Sequence, residues 1–308
     1  MQFIDEQRIR ELLRMEDLIP ALEQALIDFS AGRALQPLRS VIPVEEHGGF
    51  FFQMPALVPA AMGVKLVTLY PGNAGTVVPT HLATILLLNP ATGEPLAVMD
   101  GTYITEMRTA AVSALATRLL ASPDASVLAI LGSGVQAHVH AKVLPLVRDF
   151  KEVRVWSRTP AHARRLAREI GGRAMAAEEA VRGADVVVTA TNATQAVLQG
   201  KWLKLGAHVN AIGAPRPDWR ELDDDVMKNV LFVDSRAGAL KESGDVIRSG
   251  ARVYAELGEA LAGNLDLHAE ETTVFKSLGM AIEDITAAKL VYDAARGWFS
   301  KTHPAWGS

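Results

Sequence analysis

A short apolar run, Val127 to Leu131, breaks straight into Gly132-Ser133-Gly134-Val135-Gln136-Ala137 and then into a helical pattern. No other stretch limits the fold so narrowly. Gly132 permits a tight turn, Gly134 lets backbone N–H groups approach a pyrophosphate, and the small Ala137 lets the new helix pack closely on its strand. The helix N-terminus adds partial positive charge for the phosphates. Glycine-rich turns are common, and the rival reading is a capping loop that binds nothing. A strand before, a helix after and a βα series downstream favour a dinucleotide site built on Gly132, Ser133, Gly134, Val135 and Gln136.

The end of the next strand bears on which dinucleotide. An NAD site places an acidic side chain about 20 residues past the first glycine, on the ribose 2′-hydroxyl. Glu152 falls near that spacing, but it opens the strand Glu152–Trp156, and ligands sit beyond carboxyl ends of strands. At that end stand Ser157, Arg158 and Thr159, with no carboxylate. A guanidinium and two hydroxyls suit a 2′-phosphate, so the expected cofactor is NADPH. The alternative is that Arg158 is a solvated turn residue.

The chain has 308 residues, enough for two domains, with 49% hydrophobic and 21% charged residues. Its formal net charge of −4, without a basic stripe, gives no support for nucleic acid or an anionic membrane as partner. Small-molecule chemistry is favoured instead. Absence of cysteine removes disulfides, thiolate nucleophiles and cysteine-bound metals. The opening MQFIDEQRIRELL carries acids and lacks an apolar core, so it does not read as a signal peptide, and no run of about 18 apolar residues occurs. A cytoplasmic protein is expected.

Apolar spacing from Asp5 to Phe29 predicts two amphipathic helices separated near Asp17. Branched and aromatic stretches at 40–44, 49–54, 63–69, 80–88 and 95–100 predict an antiparallel sheet, followed by a small-residue helix over 105–120. Beyond the glycine turn, predicted strands at 152–156, 185–190, 207–212 and 230–234 alternate with helices near 160–170, 176–182, 221–228 and 236–247. Helical patterns at 251–262 and 279–296 close the chain. The fold class is therefore α/β: a Rossmann-type doubly wound parallel sheet domain over 122–284, and a mixed α+β domain over 1–121 completed by a C-terminal helix, 285–308.

Segments spread over nearly the whole chain resemble the ornithine cyclodeaminase/mu-crystallin family. They include Gln36-Pro37-Leu38-Arg39, Lys65-Leu66-Val67-Thr68, Pro79-Thr80-His81, Ala97-Val98-Met99-Asp100-Gly101 and Arg108-Thr109-Ala110-Ala111. Further on, Arg216-Pro217-Asp218-Trp219-Arg220-Glu221-Leu222-Asp223, Lys241-Glu242-Ser243-Gly244-Asp245 and Phe275-Lys276-Ser277-Leu278-Gly279-Met280 fit as well. The likeness is greatest to the NADPH-dependent ketimine reductase branch. It implies a homodimer whose N-terminal domain supplies the substrate pocket and the dimer interface. Cyclodeaminases and alanine dehydrogenases of the family carry an aspartate where this chain has proline in Gly213-Ala214-Pro215, which favours reduction of a preformed C=N bond.

Hydride transfer to an imine needs a cofactor ring against the imine carbon, a clamp on the substrate and a proton for the nitrogen. A 2-carboxylate on the substrate makes the clamp cationic, and Arg39, Lys65 and Arg108 match substrate-contacting positions of the family. From residue type alone they could equally be internal salt-bridge partners. Lys65, once desolvated, could also donate the proton. His81, in an apolar stretch, reads by itself as a hydrogen-bonded core histidine; the resemblance places Thr80 and His81 beside the nicotinamide, with a proton relay as a secondary role for His81. Asp218-Trp219-Arg220-Glu221 has the form of a capping box. Glu242 lies in a polar run that could be solvated, while the resemblance turns it toward the ligand pocket, where a family member contacts thyroid hormone. It also suggests Thr191, Asn192, Ile212 and Ser277, with Arg108, as cofactor neighbours. No histidine and carboxylate set has metal-ligand spacing.

The implied activity is NADPH-dependent reduction of cyclic 2-carboxylated imines such as Δ1-pyrroline-2-carboxylate and Δ1-piperideine-2-carboxylate, with reductive amination of 2-oxo acids open to the same clamp. The alternatives are a protein that sequesters NADPH and an iodinated hormone or other hydrophobic acid, or a cyclodeaminase or alanine dehydrogenase, against which Pro215 counts.

Overall fold

Alternating apolar residues in the first hundred positions build a sheet, and a parallel series follows. The computed structural model describes residues 1–263, 265 and 270–302, the last five of these by backbone alone. Two units emerge, Met1–Arg108 with Met280 onward, and Thr109–Gly279. Positions 303–308 of the expected C-terminal segment lie outside the described residues.

In the first unit, β1 (Gln2–Ile4), β2 (Ser40–Val44), β3 (Gly49–Val58), β4 (Ala61–Leu69), β5 (His81–Leu88) and β6 (Pro95–Asp100) form one sheet in the order β1-β6-β5-β4-β3-β2. All neighbours are antiparallel except β1, which pairs parallel with β6. Helices α1 (Glu6–Leu12) and α2 (Met15–Ser30) meet at Leu13 and Arg14, so the break precedes the expected Asp17, which lies in the first turn of α2. The period of two sends Ala61, Gly63, Lys65 and Val67 of β4 to one face. A Cβ on Gly63 would stand 2.8 Å from Ile285 Cδ1 and 2.4 Å from Leu86 O, so only glycine lets the C-terminal helix (Ala281–Thr302) come this close to the sheet. That close approach sets Lys65 against the first turn of the helix.

Helix α3 (Thr102–Leu120) starts where Asp100 Oδ1 accepts from Thr102 N, which satisfies one of the N–H groups left open at a helix start. The second unit holds β7 (Val127–Leu131), α4 (Val135–Val143), β8 (Glu152–Trp156), α5 (Pro160–Ile170), β9 (Arg173–Ala174), α6 (Ala177–Val181), β10 (Val186–Thr189) and β11 (His208–Ala211). Then come β12 (Val230–Val233), α7 (Arg236–Glu242), α8 (Gly244–Ser249), β13 (Val253–Glu256), α9 (Leu257–Leu261) and β14 (Thr273–Lys276). Its eight strands are all parallel, in the order β13-β12-β14-β11-β10-β7-β8-β9. Strand order reverses between β7 and β10, and a doubly wound sheet binds its ligand at such a point.

The main departures from the sequence expectation lie in the second unit. No α-helix forms over 221–228, where only a single 3-10 turn, Val226–Lys228, is present, because Glu221 is buried and accepts from the ends of two strands, β10 and β11. The capping box is therefore overturned: Asp218 lies exposed, bonded to Arg216 Nε at 3.2 Å. The 236–247 helix breaks at Ser243, whose hydroxyl caps α8. The 251–262 pattern divides into strand β13 and the short α9. Strand β14 was not expected; lying between β11 and β12, it is buried throughout and carries no alternation.

Two histidines are sealed in the second unit. His140 bonds Ser113 Oγ and Gln136 O at 2.9 and 2.7 Å, and His208 bonds Thr273 Oγ1 at 2.9 Å. Burial pushes them down to about 4 and about 3, from an ordinary 6.5. Below pH 6.5 the unfolded chain binds protons that the folded chain refuses, so their contribution to stability is whole above that pH and falls as the pH drops toward the folded values. The slope is up to about 1.4 kcal/mol per pH unit for each histidine. Urea unfolding midpoints are expected to fall steadily from pH 6.5 to 5, before most carboxylates titrate. Midpoints that stay level over that interval would show that the imidazoles reach solvent.

Candidate functional site

In the first unit, Lys65 and Arg108 are both buried, at 2% and 5% exposure, and both meet the start of the C-terminal helix. Lys65 Nζ lies 2.6 Å from Asp284 Oδ2 and 3.4 Å from Thr105 Oγ1. Arg108 spans two carboxylates, with Nε 3.1 Å from Asp284 Oδ1 and Nη1 2.7 Å from Glu283 Oε2. Gln36 Oε1 accepts from Ile282 N at 3.0 Å, tying the Gln36–Arg39 segment to the same helix start. Acidic residues in a first turn also complement the helix dipole. Sequence reasoning missed Glu283 and Asp284, since two acids opening a long helix look like ordinary surface residues.

Burial pushes Lys65 down to about 8, with Asp284 opposing and Arg108 and Arg39 adding to the fall. Burial also works against charge on Arg108, but Asp284 and Glu283 outweigh it and hold the guanidinium above its ordinary value. Arg39, half-buried just before β2, is close enough to act on Lys65. Lys65, Arg108 and Arg39 thus stand close enough together for each arginine to act on the lysine. His81 opens β5, half-buried; burial, then Lys65 and Arg108, push it down to about 4. It is therefore a neutral imidazole near pH 7, unable to give up a proton as a cation. Thr80 precedes it, half-buried.

The second unit presents the glycine turn at the switch point. Gly132 has φ 138°, and a Cβ there would sit 2.3 Å from Ala190 O, so any side chain would push the turn off the β10 loop. Gly134 is the N-cap of α4, with no side-chain cap, and no heavy atom lies within 4 Å of where its Cβ would be. Gln136 Oε1 is buried without a hydrogen-bond partner among the described residues. Val135 is 55% exposed beside it. Ser133 Oγ lies 2.8 Å from Ser157 Oγ, joining the turn to the end of β8, where Arg158 and Thr159 are exposed. Glu152 opens that strand and bonds Arg154 at 2.9 Å, at the end remote from ligand. Open helix N–H groups and clear space over Gly134 fit a dinucleotide phosphate group.

The remaining expected residues divide. Thr191 N and Oγ1 both donate to Glu221 Oε1 at 2.6 Å, and Asn192 beside it is exposed. Ile212 follows β11, half-buried, its N–H bonded to Thr189 O at 3.0 Å. Ser277 is buried and its hydroxyl donates to Asp234 Oδ2 at 3.2 Å, an internal role in the structure described. Glu242 ends α7, half-buried.

The sequence model of the ornithine cyclodeaminase/mu-crystallin family matches residues 2–298. The chain is 53% identical over 302 residues to the ketimine reductase mu-crystallin of Mus musculus, covering 95% of this chain and 96% of that one. Among solved structures, the Δ1-pyrroline-2-carboxylate reductase of Thermococcus litoralis in complex with NADH and L-proline superposes with a TM-score of 0.92, at 38% identity over 97% of this chain and 98% of its own. An archaeal alanine dehydrogenase dimer with bound NAD has the same TM-score, 0.92, at 33% identity and 97% coverage of each chain. With the fold, the glycine turn and the buried cations, these likenesses establish that the chain belongs to the ornithine cyclodeaminase/mu-crystallin family.

Proposed function

We propose that the chain is an NADPH-dependent ketimine reductase that converts cyclic 2-carboxylated imines, Δ1-pyrroline-2-carboxylate and Δ1-piperideine-2-carboxylate among them, into proline and pipecolate. Reductive amination of 2-oxo acids uses the same clamp. The observation that carries this reading is the grouping of three cations, Arg39, Lys65 and Arg108, close enough for both arginines to act on the lysine, which is held at about 8; such a grouping suits a substrate carboxylate. A bound reduced nicotinamide would supply the hydride for the imine carbon. Lys65, ammonium at neutral pH, gives its proton to the imine nitrogen and regains one from solvent. Its relatives by likeness act on such imines, and the solved neighbour holds NADH with proline. Pro215 leaves the loop after β11 without the carboxylate that deamination would use.

Arg39 is the better clamp residue to probe. Removing Arg108 would leave Glu283 and Asp284 buried beside a missing cation, which typically costs about 3–5 kcal/mol of stability. The Arg39→Ala variant is expected to lose about 10- to 100-fold in kcat/KM toward Δ1-pyrroline-2-carboxylate, as for a hydrogen bond to a charged group, with NADPH binding unchanged. For the parent, kcat/KM should fall as the pH rises through about 8, where Lys65 loses its proton. Absence of NADPH oxidation with either imine would refute the reading.

Arg158 is exposed at the carboxyl end of β8, where a 2′-phosphate would lie. Arg158→Ala is expected to weaken NADPH about 10- to 100-fold and leave NADH nearly unaltered. Equal losses for both cofactors would move 2′-phosphate recognition elsewhere.

The protein works as a homodimer through the first sheet. A row of apolar residues, Phe3, Val98, Leu86, Val64 and Pro55, crosses it on the face opposite Lys65. Phe3 is 79% exposed, and Ile42, Leu57 and Leu82 add exposed apolar surface. Monomers seldom leave such a patch open. Sedimentation velocity should find a dimer for the parent and a monomer for Leu86→Arg; a monomeric parent at micromolar concentration rules the interface out.

A further inference from the structure

At the carboxyl edge of the parallel sheet, Glu221 is buried with 0% exposure and takes four donors. Thr191 N and Oγ1 bond its Oε1 at 2.6 Å; Thr189 Oγ1 and Gly213 N bond its Oε2 at 2.9 and 2.8 Å. Thr189 ends β10, Thr191 lies in the loop beyond it, and Gly213 lies just past β11. One carboxylate thus staples two adjacent strand-end loops. Lys276, the last residue of β14, is fully buried, donates to Gly213 O and lies 2.9 Å from Asp245 Oδ2. Asp245 Oδ1 in turn accepts from Glu221 N and Leu222 N at 2.8 and 2.9 Å. Gly244 fits beneath this loop because it has no Cβ: one would stand 1.9 Å from Trp219 O.

Both backbone polar groups of Gly213 are therefore held, the N–H by Glu221 and the C=O by Lys276. The next residue, Ala214, is buried at φ 51°, the one non-glycine residue with positive φ among the described residues. A left-handed alanine is strained and persists only where its surroundings dictate it. The strained position lies beside Pro215, at the sheet edge where a doubly wound fold meets its cofactor. Gly132 of the phosphate turn touches Ala190, between the two threonines stapled by Glu221, so the device is continuous with the glycine turn.

We propose that Glu221, braced by Lys276 and Asp245, is a positioning residue that holds the Thr191–Asn192 and Ile212–Pro215 loops in register for the nicotinamide half of the cofactor. It rests on the cofactor site assigned above and touches no reacting atom itself. Glu221→Gln places an NH2 against a backbone N–H, of Thr191 or of Gly213, whichever way the amide turns. Misplacement of a supporting loop by about 1 Å can cost about 100-fold in rate.

The test compares NADPH with 2′,5′-ADP, which carries only the adenosine half, using fluorescence titration beside steady-state kinetics. Glu221→Gln is expected to weaken NADPH and lower kcat about 10- to 100-fold while 2′,5′-ADP binds as in the parent. Thr189→Val, which removes one donor at constant volume, should shift the same quantities in the same direction by a smaller factor, and it decides the matter if the glutamine variant does not fold. NADPH affinity and kcat equal to the parent's in a folded variant, or an equal loss of 2′,5′-ADP, would overturn the proposal. Failure of the parent to reduce imines while still binding NADPH would strike the functional reading alone, since the two binding titrations remain informative.

Discussion

Two cations and two carboxylates sealed together at the start of the C-terminal helix make the arrangement on which the first unit's chemistry depends. Without Asp284 and Glu283, burying the charges of Lys65 and Arg108 would cost several kcal/mol for each ion. Arg39 adds a third cation close enough to act on Lys65. A group of cations gathered in this way suits an anionic guest, and burial, with Arg108 and Arg39 adding to it, holds the Lys65 ammonium near the point where it can release a proton. Internal salt-bridge partners and substrate clamp are thus compatible descriptions of the same residues.

The second unit solves a different problem. A parallel sheet ends in a row of loops that must hold their shape with little side-chain packing of their own. Glu221, Asp245 and Lys276 do this from beneath, converting three strand ends into one braced edge. Gly132 and Gly244 serve the same edge by absence, each allowing a backbone contact that any Cβ would block. The cofactor face is consequently rigid where Ala214 is strained and open where Gly134 lies bare.

The strands at 40–44, 95–100 and 152–156 were legible to the residue, because alternation or a short apolar run between turn residues leaves one reading. The glycine turn was legible for the same local reason. Strand β1 has three residues and β14 four, too few for a period to show. Glu221 misled because an acid three residues after Asp218 is also the signature of a helix cap; only its distance from Thr189 and Gly213 in space tells the two apart.

By itself the sequence determined the α/β class, the dinucleotide turn, the family, and that Arg39, Lys65 and Arg108 are cations in apolar settings. Each of these is written in neighbouring residues or in motifs matched along the chain. Which carboxylates face those cations, how far burial lowers Lys65, and which acid binds the strand ends were decided by tertiary structure alone. Asp284 lies more than two hundred positions from Lys65 and meets it because the C-terminal helix packs on the sheet over Gly63; Coulomb energy and desolvation depend on that distance in space, and local pattern carries no record of it.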